Sequence, residues 1–173
     1  MRMKIIILAV LLGLTFFSTG CAMRLNKHFD YKQAASSLQQ GEIRARLMGT
    51  FSSSEKETVK DSPYDLLISF SFSKIKKGSV VISDVRIHEA STNKLVFNGT
   101  DFLEEEIKVG SDGIYRTYFS LKGMELEYVR YKLLLKVQVK VGDQIFKEDV
   151  ELYLDKDYRE FKSSDFWQKI MSV

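Results

Sequence analysis

Beyond residue 41 hydrophobic and polar residues alternate with a period of two along most of the chain, the signature of strands with one buried face. Ile43, Ala45 and Leu47 alternate with Glu42, Arg44 and Arg46. Tyr64, Leu66, Ile68, Phe70 and Phe72 alternate with Asp65, Leu67, Ser69 and Ser71. Between these two runs, residues 52–63 are polar and end in Pro63, the chain's single proline, which predicts a loop. Residues 79–89 predict another strand, with Val81, Val85 and Ile87 on one side, and residues 94–97 a short one. Residues 102–109 predict a strand whose Glu104, Glu105 and Glu106 suit an exposed edge. Residues 114–121 return from it with Tyr115, Thr117, Phe119 and Leu121 on one face.

The clearest pattern follows. Tyr131, Leu133, Leu135, Val137, Val139 and Val141 alternate with Lys132, Lys136, Gln138 and Lys140. Gly142-Asp143 predicts a tight two-residue turn with glycine first, and the return strand directs Phe146, Val150, Leu152 and Leu154 inward. In all, about eight strands with short polar turns and no helical period between them predict an all-β fold, an antiparallel two-sheet sandwich of immunoglobulin-like character. A barrel is the alternative that alternation leaves open. At the end of the chain Ser164-Asp165 is an N-cap signal. Phe166-Trp167-Gln168-Lys169-Ile170-Met171 then predicts a short C-terminal helix with Phe166, Trp167 and Ile170 on one side. That cluster either covers a sheet edge of its own domain or is a candidate interaction surface for a partner or a membrane.

The first twenty residues are different in kind. Arg2 and Lys4 are their only charges, residues 5–14 are apolar apart from Gly13, and residues 15–19 mix two phenylalanines with hydroxyls. A basic start, a short apolar middle and a small-residue exit make a secretory signal. The apolar part is shorter than the roughly 20 residues a permanent transmembrane helix needs. The exit reads Phe17-Ser18-Thr19-Gly20-Cys21, and Cys21 is the only cysteine, so no internal disulfide is available to it. This exit resembles the lipobox of bacterial prolipoproteins. Gly20 and Cys21 match; Ser18 stands where leucine is usual. The resemblance implies cleavage between Gly20 and Cys21 and a covalent lipid on Cys21. Ala22, in place of aspartate, implies sorting to the outer membrane, with the domain facing the periplasm or the cell surface. Two or three acyl chains at about 0.8 kcal/mol per buried methylene hold such a protein on its membrane. The resulting divisions are residues 1–20 as signal peptide, 21–40 as lipidated N-terminus and tether, 41–155 as β-sandwich domain and 156–173 as tail with a short helix.

Charge narrows the function. The chain carries 26 basic and 23 acidic residues; losing Arg2 and Lys4 lowers the formal charge from +3 to +1. Nucleic-acid binding would call for a basic footprint, and none is present. No catalytic residue, metal site or cofactor is expected beyond the lipid on Cys21. The two histidines, His28 and His88, lie sixty residues apart, short of the three or four convergent ligands of a metal site. No serine sits in a nucleophile-elbow motif, and the ten glycines are scattered among turns. Asp155-Lys156-Asp157 brings two carboxylates together without the other oxygens of a calcium loop. The expectation is a non-enzymatic envelope module that binds or scaffolds a protein partner. The alternative is a binding module for a lipid, glycan or small ligand, motivated by 12 Phe, 8 Tyr and one Trp.

Overall fold

Alternation becomes pairing in the computed structural model, which describes residues 23–54, 56–99 and 103–164. In chain order the strands are β1 (Met23–Tyr31), β2 (Ala34–Ser37), β3 (Glu42–Ser53), β4 (Glu57–Phe72), β5 (Ser79–Glu89), β6 (Leu95–Gly99), β7 (Leu103–Glu106), β8 (Lys108–Val109), β9 (Tyr115–Met124), β10 (Tyr131–Val141), β11 (Gln144–Leu154) and β12 (Lys156–Ser164). Sheet A runs β12-β1-β4-β3-β2, with β9 on the second half of β4 and β8 beyond it. Sheet B runs β11-β10-β5-β6, with β7 also on β5. The described chain is therefore all-β, two sheets in a sandwich, as the alternation predicts. Pairing is antiparallel except between β1 and β4, which run parallel from Leu25 beside Glu57 to His28 beside Lys60.

One core joins the sheets. Ile43, Leu47, Leu66, Ile68 and Phe70 of sheet A and Ile82, Ile87, Leu133 and Leu152 of sheet B are buried in a single cluster. Each such side chain contributes about 1.5–3 kcal/mol when removed from water. The 131–154 hairpin has the predicted register: Val141 pairs with Gln144 across Gly142-Asp143, and Gly142 takes a φ of +58°, which glycine accepts without strain.

Several elements depart from the sequence reading. Residues 52–63, predicted as a loop, mostly extend two strands: β3 runs to Ser53, and β4 starts at Glu57 and passes through Pro63. Pro63 has no amide to donate, and it sits where the β3–β4 register shifts, between Gly49 and Thr50. The strand expected over residues 102–109 is, where described, two strands, Leu103–Glu106 and Lys108–Val109. β7 belongs to sheet B and β8 to sheet A, and buried Ile107 carries the chain across. On β5 a bulge opposite Lys136 and Val137 changes the parity, so Val80 and Ile82 point to the core before it and Val85 and Ile87 after it.

The two ends of the chain differ most. Of the segment expected as a tether, residues 23–31 and 34–37 are strands of sheet A. Of the segment expected as a tail, residues 156–164 are β12, paired with β1 along its whole length from Met23 beside Ser164 to Tyr31 beside Lys156. Tether and tail thus complete each other's hydrogen bonding, a pairing between segments more than a hundred residues apart that leaves no local signal in either. The predicted C-terminal helix, with Phe166, Trp167 and Ile170, lies outside the described residues.

Sheet A consequently has two parts. The second half of β4 with β3, β2 and β9 forms one layer of the sandwich. The first half of β4, the end of β3, β1 and β12 form a four-stranded wing, and β1 and β12 pack broadly on sheet A strands alone.

Candidate functional site

A dense polar joint connects the wing to the sandwich. The buried Asp30 carboxylate accepts from Lys60 Nζ at 2.8 Å and from the Gly49 amide at 3.3 Å, with Arg46 Nη2 at 4.0 Å. Arg46 Nε also donates to the Tyr31 carbonyl at 3.2 Å. On the core side Tyr31 is fully buried, and its hydroxyl donates to the Glu127 and Val129 carbonyls at 3.2 and 2.9 Å. Tyr64 donates to Asp61 Oδ1 at 2.6 Å. Tyr131 donates to the Glu127 carbonyl at 2.7 Å, and burial raises its hydroxyl to about 12. Burial raises Tyr31 and Tyr64 too, so all three remain hydroxyl donors. Gly49 is required here by contact: a Cβ on it would stand 2.8 Å from the Asp61 carbonyl oxygen.

The outer face of the wing carries rings and cations. His28 lies edge-to-face between Phe51 and Phe161, at 5.5 and 5.1 Å between ring centres. Phe51 is 64% exposed and Phe161 45% exposed, and Lys60 Nζ lies 5.3 Å from the Phe51 ring centre. Beneath them, buried Asn26 donates to Ser163 Oγ at 2.8 Å and to the Arg24 carbonyl at 3.1 Å. The ion pairs on this face are lopsided. Arg159 is 60% exposed while its partner Asp157 is 20% exposed, and Arg46 is 35% exposed against 7% for Asp30. The carboxylates are the covered partners and the guanidiniums the wet ones. His28 is held below its ordinary value of 6.5 by burial, opposed by Asp30 and reinforced by Lys60 and Arg159.

Further along the same face lies a shallow trough of about 730 Å³. Ser69 and Ser71 of β4 form its floor, Arg44 of β3 and Arg116 and Tyr118 of β9 its walls. It is concave because the middle strand carries short side chains and its neighbours long ones. Glu42 holds Arg44 at 2.7 Å and Asp112 holds Arg116 at 2.6 Å; the Arg116 contact keeps the Asp112 carboxyl down at about 2. A compensated, hydroxyl-floored trough, with Phe70, Phe72 and Ile114 also in its lining, offers donors, acceptors and apolar faces to a neutral polar ligand.

The remaining sequence candidates separate. Gly20, Cys21, Phe166, Trp167 and Ile170 lie outside the described residues. His28, expected in a tether, is in β1 among the rings above. His88 is at the far end of β5, its Nδ1 3.0 Å from the Asn93 carbonyl. Asp155 pairs with Arg130 at 2.6 Å and Asp157 with Arg159, so each carboxylate of that closely spaced pair faces an arginine. Glu104 pairs with Lys140 and Ser79 at the sheet B edge. Among the described residues no three His, Cys, Asp or Glu side chains gather as a metal site, and no helix is long and apolar enough to cross a membrane. The ring-and-cation face was missed from sequence because Phe51 fell between the alternating 42–47 run and the predicted loop, assigned to neither, and Phe161 in the predicted tail. Comparison with protein-family models, curated proteins and solved structures finds no significant match to the chain.

Proposed function

We propose that the chain is a bacterial envelope lipoprotein, cut before Cys21 and held by a lipid on that cysteine. Its β-domain, on this reading, is a non-enzymatic module that engages or scaffolds an envelope protein. The observation that carries the reading is the Phe17-Ser18-Thr19-Gly20-Cys21 exit of a signal-like segment, with the chain's lone cysteine at its end. Ala22 favours the outer membrane, and the near-neutral mature charge disfavours nucleic acid. The two packed sheets with hairpin connections support an immunoglobulin-like description of the scaffold.

The test is mass spectrometry of membrane-extracted protein, which should find a diacylglyceryl group on an N-terminal Cys21. Cys21→Ala should leave an uncleaved precursor or a protein released from membranes. Normal processing and anchoring of that variant would refute the assignment.

The trough favours a second reading, a module for a glycan or other neutral polar ligand. Arg116→Ala should abolish binding of an envelope glycan fragment in calorimetry while leaving the far-ultraviolet spectrum unchanged. Absence of any heat from wild-type protein would remove this reading.

A further inference from the structure

β1 lies close in the chain to the proposed anchor. Met23 is two residues from Cys21, so at most about 7 Å of extended chain separates them. Met23 pairs with Ser164, and the β3–β4 turn lies alongside, the Leu25 amide donating to the Lys56 carbonyl at 3.2 Å. One end of the wing therefore gathers the first strand, the turn and the point from which residues 165–173 depart. Those residues include Phe166, Trp167 and Ile170. A lipid on Cys21 would leave no slack in which to lift the domain off the bilayer.

We propose that the outer face of the wing is a membrane-docking surface that takes anionic lipid headgroups and seats the domain flat beside its own lipid anchor. The proposal rests on the lipoprotein reading and adds the face and the chemistry of the contact. Phe161 is in the row of Asn26 and Phe51 in the row of His28, five and seven residues from Cys21. That places the two rings at most about 18 and 25 Å from the anchor along the strand direction, within one footprint. Exposed phenylalanine rings bury into the boundary between headgroups and acyl chains. The lopsided ion pairs supply the electrostatic half: Arg159 and Arg46 face outward while Asp157 and Asp30 are covered. A basic surface gains about 1 kcal/mol for each cation brought to an anionic membrane. The opposite face of the wing also carries rings, Phe29 and the exposed Tyr158, but there the acid is the wetter partner: Glu57 is 42% exposed and its partner Lys27 33%.

The lone cysteine makes the test direct, because acylation would block Cys21 and leave one introduced thiol for labelling. Phe51→Cys, Phe161→Cys, Tyr158→Cys and Ile145→Cys proteins are labelled with a fluorophore. Each is then reconstituted in vesicles of phosphatidylethanolamine and phosphatidylglycerol containing a headgroup-depth nitroxide lipid. Tyr158 is exposed on β12 but of opposite parity to Phe161, and Ile145 is exposed at the far sheet B edge. The expected result is loss of fluorescence at positions 51 and 161, with 158 and 145 spared, and a smaller loss in pure phosphatidylcholine. Equal quenching in the two vesicles overturns the anionic assignment. Sparing of 51 and 161, or quenching of 158 alongside them, overturns the docking face while mass spectra of the same samples show the acylated terminus intact. Spectra without an acyl group overturn the lipoprotein reading itself, and the proposal with it.

Discussion

The two halves of β4 carry the same period-two backbone to opposite ends. From Tyr64 to Phe72 every second side chain is sealed between sheets, and all five, Tyr64, Leu66, Ile68, Phe70 and Phe72, are at most 1% exposed. From Glu57 to Lys60 the strand has a sheet partner on both sides but no second layer of strands over it. Hydrogen bonding is thus satisfied in both halves, while apolar burial is concentrated in one. Edge pairing is enough to form a strand; a covering layer is what makes it costly to disturb.

The largest expected contrast comes from truncating one ring in the sandwich and one in the wing. Phe70→Ala should lower stability by about 3–5 kcal/mol, whereas Phe161→Ala should lower it by about 1 kcal/mol or less, both read from urea denaturation. Equal losses would mean that the wing is as integral to the fold as the sandwich. At the joint, Asp30→Asn leaves Lys60 facing a neutral amide. A loss of about 2 kcal/mol is expected, below the 3–5 of a fully buried pair because Lys60 keeps some contact with water. Hydrogen exchange should quicken in β1 and β12 and hold steady in β10; uniform quickening would show that the joint serves the whole domain.

Tyr31→Phe removes the donor to the Glu127 and Val129 carbonyls and is expected to cost about 1–2 kcal/mol. Its readout is faster exchange in residues 126–131 ahead of global unfolding. The smallest effect is electrostatic. Burial holds His28 below 6.5, so the unfolded chain takes up its proton first as the pH falls. Stability should therefore decline as pH drops from 6.5 toward the lower folded value and level off beneath it. His28→Gln should flatten that decline, and an imidazole titration midpoint at or above 6.5 in the folded protein would contradict it.

How much of this was legible in the chain divides along the same line. The sandwich strands were readable because a covered strand must alternate: Tyr131 to Val141 and its return reveal face, turn and register from residue types alone. The wing strands were not. Arg24 to Asp30 and Asp157 to Lys162 alternate weakly, since neither face is sealed, and Pro63 reads as a stop although a register shift accommodates it. The ring-and-cation face was invisible for a related reason. Phe51, His28 and Phe161 come from three strands, and only the β12-β1-β4-β3 order makes them neighbours.

Chain order alone supplies the class of fold, the inward-facing residues of the sandwich and the signal-like start ending in a lone cysteine, because periodicity and local chemistry are written within a few residues of one another. Only folding could join β1 to β12, cover the acids and expose the arginines of one face, and set Phe51, His28 and Phe161 side by side. Those outcomes depend on pairing between strands apart in the chain, above all β1 with β12 more than a hundred residues on, and on which surfaces a second sheet happens to cover.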